Sequence, residues 1–505
     1  MNSDISPHIE ENEAYIRKRL ENCDDFIIRP MILGEEKKIR CLVVYIEVAV
    51  SNMVLEDSVI GKLVNHMWEM PAEEILEFVR ENGMGISDVQ PMDSMDQAFA
   101  SMLAGNALFF LDGYARAIKV SSKGYPNLSV SEATREKVLR GSKEGFTDAV
   151  KTNSALVRKR IRDTRLKVKQ KTIGKRSQTL VQILYMEDLV RPELLEDLEK
   201  RLDSFVIDGV LDSGVIEQLT ESSWLSPFPQ FQTTERPDKC AAEILNGRIV
   251  LLCDHSPMGI LLPAVFNDFL QVSEDSYNRF EIVSLQRIIR YCAVLITLLF
   301  SGTYLAVTNF HTQVLPTNLI LSFSEARQGV PFPGMLEILF MEIAFETIRE
   351  AGIRMPGPLG GTIGIVGGLI VGQAAVEANL VSPIVVVVVA VTALCSLAIP
   401  SEGFSAPFRL LKFGFIILGG TLGVFGILLG LYLTVSHLAG LKSFGIPYLS
   451  PFAAKNHAGY CGERDSIIRL PMRFLTRRPI YASENQKVKL RTKESHGEEK
   501  KGGNC

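Results

Sequence analysis

Glu342, Glu346, Arg349 and Glu350 recur every three or four residues inside Pro333 to Ala351, a run that is otherwise mostly apolar. On a helix this spacing gathers them onto one stripe, with Glu337 on the other side. A charge at mid-membrane costs at least ~2.5–3.5 kcal/mol, so such a face cannot look at lipid. Either it lines a watery cavity, where a ring of carboxylates attracts cations, or the helix lies in the interface with the stripe turned outward. Gln373 and Glu377, polar residues inside the next apolar run, join Glu342, Glu346 and Arg349 as candidate lining of a pore or cavity.

Other reactive residue types lack the spacing that catalysis needs. His66, His255, His311 and His437 have no nearby partner constellation. Asp254-His255-Ser256 is contiguous, which strand geometry sends to alternating faces. The eight cysteines form no C-x-x-C pair and meet no histidine at ligand spacing, so structural zinc and a secreted disulfide scaffold are not expected. The expectation is a chain with no catalytic residues, no metal and no cofactor.

Hydrophobic helices must position the charged stripe. In Met355 to Pro383, Gly360, Gly364, Gly368 and Gly372 recur every fourth residue and form a ridge without side chains. In water each would cost roughly 1 kcal/mol against alanine, whereas in a bilayer such a ridge lets another helix backbone approach closely. A phosphate-binding glycine loop does not fit, because Gly364, Gly367, Gly368 and Gly372 miss the G-x-G-x-x-G pattern. Tyr291 to Phe310, Val381 to Ala398 and Phe413 to Leu438 read as spans, and Leu319 to Phe323 is too short to cross. Five hydrophobic segments result, and no inverted repeat of the transporter kind relates them. Arg349 and Arg354, then Arg409 and Lys412, fit alternate loops on the cytosolic side with the large front domain, and five crossings would put Arg464, Arg469, Arg473, Arg477 and Arg478 on the far side, against the positive-inside tendency. Pro333 to Ala351 is the first suspect for a segment that fails to cross. The N-terminal stretch MNSDISPHIEENEAYIRKRL has no apolar h-region, so internal segments are expected to direct insertion.

Hydrophobic residues make up 47% of the 505 and charged ones 22%, and the apolar share concentrates in Arg290 to Leu438. The first 280 residues or so read as soluble sequence, and contain one unit twice. Ala98 to Val120 lies over Cys240 to Leu262 without a gap, matching Gly105 with Gly247 and Asp112 with Asp254. Tyr45, Glu47, Val50, Leu55, Glu56 and Asp57 find Tyr185, Glu187, Val190, Leu195, Glu196 and Asp197 in nearly the same register. Each copy predicts strand, helix, helix, strand, strand, a small α/β sandwich. Ile249 to Leu270 is therefore read as sheet rather than span. The basic run Arg158 to Arg176 lacks aromatic interleaving, so it reads as a solvated face and not a nucleic-acid site. Ser226 to Asp238, with three prolines, is an extended clamp between subdomains. The organisation expected is residues 1–40 N-terminal segment, 41–135 and 136–275 repeated α/β subdomains, 276–440 a multi-span helical membrane domain, and 441–505 a basic, partly disordered tail.

Ser226-Pro-Phe-Pro-Gln, Thr234-Glu-Arg-Pro-Asp238, Pro331-Phe-Pro, Arg349-Glu-Ala-Gly352, the stretch Gly360 to Pro383 and Asp465-Ser-Ile-Ile-Arg-Leu-Pro471 resemble the A subunits of bacterial spore germinant receptors, the GerA family. The stage V sporulation protein AF is a member of the same family, and the resemblance does not separate the two. It implies a subunit of the spore inner membrane with its large N-terminal domain on the cytoplasmic (core) side. It also implies a transporter-like B subunit and a lipoprotein C subunit as partners, nutrients as triggers, and homo-oligomers that form an ion path. A non-conducting scaffold and a secondary transporter are the competing expectations.

Overall fold

The computed structural model describes residues 4–33, 39–50, 89–121, 124–125, 132–138, 140–353, 359–453 and 465–490. The expectations for Leu55, Glu56, Asp57, His66, Arg354, Arg464 and residues 491–505 lie outside it, as do the surroundings of Gly360 and Gly364.

The front half holds two five-stranded antiparallel sheets. Strands β1 (Phe26–Leu33), β2 (Ile39–Ile46), β3 (Val89–Met92), β4 (Ala107–Leu111) and β5 (Ala117–Val120) lie in the order β1-β2-β4-β5-β3. Strands β6 (Leu166–Ile173), β7 (Thr179–Met186), β8 (Gln232–Thr234), β9 (Ile249–Cys253) and β10 (Gly259–Leu262) repeat that order as β6-β7-β9-β10-β8. Helices α1 (Ile9–Arg19) and α2 (Met95–Leu103) serve the first sheet, and α3 (Val150–Arg160), α4 (Pro192–Asp203), α5 (Ser213–Thr220) and α6 (Pro237–Ile244) the second.

The repetition extends to single hydrogen bonds. Asp112 accepts the Ile9 N–H at the start of α1 at 3.2 Å, and Asp254 accepts the Val150 N–H at the start of α3 at 3.1 Å. Asn12 closes a ring with both backbone groups of Ser6, and Asn153 does the same with Thr147. Gly105 and Gly247 both sit at φ +94 after their helices, in the left-handed region that favours glycine. Asp254 is thus a helix cap, and Ser256 bonds Ser213.

The basic run departs from a purely solvated face. Lys169 and Lys171 pair with Glu199 and Asp203, but Arg158 is fully buried and donates to Asp25 at 2.9 Å across the two subdomains. Burial pushes the Asp25 carboxyl up, against the pull of Arg158. Cys23 bridges to Val168 beside this pair, so the first subdomain is sewn to β6 of the second.

The second half is a helical bundle. Its elements are α7 (Phe280–Phe310), α8 (Thr317–Ala326), α9 (Gly334–Ile353), α10 (Leu359–Glu377), α11 (Pro383–Leu397) and α12 (Glu402–Gly440). Two of them, α7 and α12, are long and apolar enough to cross a membrane, and α11 is a shorter apolar helix. α12 is not one rod: Gly423 has φ 61 and ψ −144, and the chain turns back there. Phe415 touches Gly430, Leu418 lies against Gly426, and both Phe408 and His437 approach the Phe228 ring. Residues 402–422 and 424–440 are therefore antiparallel legs of a hairpin whose tip rests on Phe310 at the outer end of α7.

Contacts give the direction of the remaining helices. α9 starts near the tip, where Met335 meets Gly420, and runs back toward the sheets. α10 returns outward, with Gly367 and Gly368 against Ile348 and Phe345, and α11 comes back past Thr392 and Ser396. Because α12 doubles over, the residues after it return to the side they came from. Tyr448 donates to the Pro229 carbonyl, Asp465 pairs with Arg287, and Tyr481 donates to Asp268. The extended piece that begins at Ser226 accordingly clamps the second subdomain to the bundle: Phe228 is buried among Phe408, Leu438 and Tyr448.

Candidate functional site

The acidic stripe of α9 turns inward. Glu342 is fully buried and Lys412, on the first leg of α12, is 2% exposed. The Lys412 ammonium donates to Glu342 Oε2 at 2.5 Å and to Glu346 Oε1 at 3.2 Å. Arg409, one turn earlier, donates to Glu346 Oε2 at 2.9 Å. Ser301 of α7 donates to Glu342 Oε1 at 2.9 Å and lies 3.2 Å from Thr392 Oγ1 of α11. Arg349 donates to Ser396 Oγ at 3.0 Å. Two carboxylates thus meet two cations and a hydroxyl chain inside the bundle, a balance that lets charge persist at low dielectric. Glu337, on its own side of α9, accepts the Ser382 N–H at the start of α11 and faces Arg327 at 3.2 Å.

Gln373 and Glu377 are placed elsewhere. They lie with Ile370, which is 58% exposed, on the outward face of α10, and neither has a polar partner among the described residues. Glu377 ends the helix and Gln373 is one turn inside it. Gly368 and Gly372 are filled from within the chain, by Phe345 and Val386.

Closer backbone approaches occur at Gly302, Gly419 and Gly426, outside the Gly360 to Gly372 ridge. A Cβ on Gly302 of α7 would lie 2.5 Å from the Phe415 carbonyl oxygen, and one on Gly419 or Gly426 would meet the carbonyls of Gly302 or Leu418. Their signal was present in part, since Gly419 and Gly423 and then Gly426 and Gly430 repeat at four-residue spacing.

A second charged cluster anchors the foot of α7. Arg287, 1% exposed, donates to Asp275 at 3.1 Å and to Asp465 at 3.1 Å, and Arg290 donates to Asp275 at 2.9 Å. Burial raises the Asp465 carboxyl, against the pull of Arg287 and Arg469. The first pass of the bundle is thereby tied to the C-terminal segment and to the end of the second subdomain.

The chain that builds these two repeated sheets and the charged helical bundle matches one family over nearly its whole length: the family model described as Bacillus/Clostridium GerA spore germination protein covers residues 14–481. The chain belongs to the GerA family. It is 36% identical to spore germination protein KA of Bacillus subtilis (strain 168) over 96% of this chain and 88% of that one. It is 37% identical to the uncharacterized membrane protein YfkQ of the same organism, over 94% of this chain and 91% of that one. Among solved structures it is similar to the N-terminal domain of the A subunit of the Bacillus megaterium spore germinant receptor GerK3, at 29% identity and a TM-score of 0.41, covering 53% of this chain and 98% of that chain. Membership in the GerA family gives the chain a role in spore germination.

Proposed function

We propose that this GerA-family chain is the A subunit of a nutrient-germinant receptor in the spore inner membrane, and that copies of it assemble around a gated ion path. Its partners are a transporter-like B subunit and a lipoprotein C subunit, and its α/β half lies on the cytoplasmic (core) side. The observation that carries the reading is the outward face of α10, where Gln373 and Glu377 stand without partners among the described residues on an apolar helix. A carboxylate turned to acyl chains is costly, so this face belongs against water, with Glu377 at the mouth of the path and Gln373 one turn inside. Glu342 and Glu346 act differently: with Lys412 and Arg409 they form a charge-balanced core that holds each protomer together, and Arg349 sits beside it on Ser396.

The test is a thiol block in the assembled receptor reconstituted into liposomes. A Glu377→Cys variant should lose triggered ion release after a membrane-impermeant thiol reagent is added. A modified cysteine with unchanged release would remove α10 from the path. The charge balance of the inner network supports a second reading, a scaffold that transmits the signal and conducts nothing. That reading expects normal germination signalling from a receptor with no conductance of its own.

A further inference from the structure

Trp224 and Leu225 project from the second subdomain at the place where it meets the bundle. They are 81% and 75% exposed. The turn that carries them is held firmly. Gln230, 1% exposed, accepts the Ser222 N–H at 3.0 Å and donates to the Ser223 carbonyl at 3.2 Å, and the Ser226 N–H closes on Ser223 at 3.1 Å. A buried glutamine thus fixes two large apolar side chains pointing away from the protein.

The same turn is pinned to both legs of α12. Ser226 Oγ lies 2.9 Å from His437 Nε2, and Phe228 packs edge-on to Phe408 at a centroid distance of 5.4 Å. His437 is about 21 Å along the helix from the tip at Gly423, which in a hydrocarbon layer of about 30 Å brings it toward the near boundary. On that leg Tyr432, Leu433 and Val435 are exposed at 70%, 57% and 48%. Trp224 and Leu225 are exposed two and one residues before Ser226, which meets this leg at His437. Tryptophan favours the layer between acyl chains and headgroups, because its ring is apolar and its N–H needs a polar partner.

We infer that Trp224 and Leu225 form an interfacial anchor, inserting into the headgroup–acyl boundary of the leaflet beside the hairpin and fixing the second subdomain against the membrane. The inference rests on the membrane reading of the helical half. It is not a pocket for a nutrient or a contact with another subunit: the occupant is lipid.

The chain has two tryptophans, Trp68 and Trp224, so Trp68→Phe leaves a single reporter. The full chain is placed in nanodiscs with or without lipids brominated near the middle of the acyl chain. Bromolipid should lower Trp224 emission clearly, because an interfacial indole sits beside the acyl chains, and aqueous iodide should have little effect. Should Trp68→Phe fail to fold, the bromolipid-sensitive part of the wild-type signal must disappear in Trp224→Phe. Iodide quenching without a bromolipid effect would put Trp224 in water, and resistance to both quenchers would put it under protein; either result overturns the anchor. Failure of the chain to co-elute with lipid would instead overturn the membrane reading.

Discussion

Lys412 is 2% exposed, and its ammonium lies between the carboxylates of Glu342 and Glu346. Removing one partner of such a buried pair is far more damaging than replacing both, because the remaining charge keeps its desolvation cost. Lys412→Met should therefore destabilise the chain by about 3–5 kcal/mol, measured as thermal unfolding in detergent, and Lys412→Met with Glu342→Leu should recover most of the loss. The glutamates were legible in the sequence because neighbours on one helix face are fixed by local spacing. Lys412 was not: it sits on a different helix, and with Arg409 between apolar runs it reads equally as a loop residue. Glu217, in the soluble half, gives a pH prediction of opposite character. Burial, with Glu221 and Asp212 nearby, pushes its carboxyl up to about 7. The folded state then holds this proton more tightly than the unfolded chain, so stability from this group falls as pH rises from the ordinary carboxylate range through about 7. Glu217→Gln should raise the melting temperature at pH 8 and make little difference at pH 4.5, as read by scanning fluorimetry.

At the scale of elements, the contact between α7 and the α12 hairpin depends on backbone meeting backbone. Gly302 and Gly419 leave no space for a side chain between α7 and the hairpin, and Gly426 leaves none between its two legs, whereas Gly403 and Gly414 face open space. Gly419→Leu should abolish the folded bundle, and Gly414→Ala should be neutral or stabilise by up to about 1 kcal/mol, both judged by monodispersity and melting in detergent. The strands β4 and β9 were legible in the sequence, where Ala107 to Leu111 and Ile249 to Cys253 are each a short buried-type run bounded by a helix-ending glycine and an aspartate turn. The hairpin was not. Residues 413–438 satisfy every length and hydropathy criterion for one span, and only the backbone at Gly423 shows that the chain reverses.

For the whole molecule, that reversal returns the chain to the side of the α/β half, so under the proposed membrane placement the basic C-terminal segment lies on that side. The bundle is traversed an even number of times, and the segment containing Arg469, Arg477 and Arg478 comes back to the second subdomain. Cysteines introduced at Lys442 and at Thr312, each in a background with the eight native cysteines replaced, should label from opposite sides of sealed vesicles; labelling from one side would break this topology. The α/β half, the bundle and the returning tail then form one connected unit, through Phe228 in the clamp and Arg287 at the foot of α7. The central claim concerns what the assembled bundles enclose. It is tested most directly by the reversal potential across a bilayer containing the triggered receptor, wild type against Glu377→Lys, under a salt gradient. The expected result is a cation preference that weakens or inverts when the charge at this mouth is reversed; an unchanged reversal potential with intact current would contradict the account.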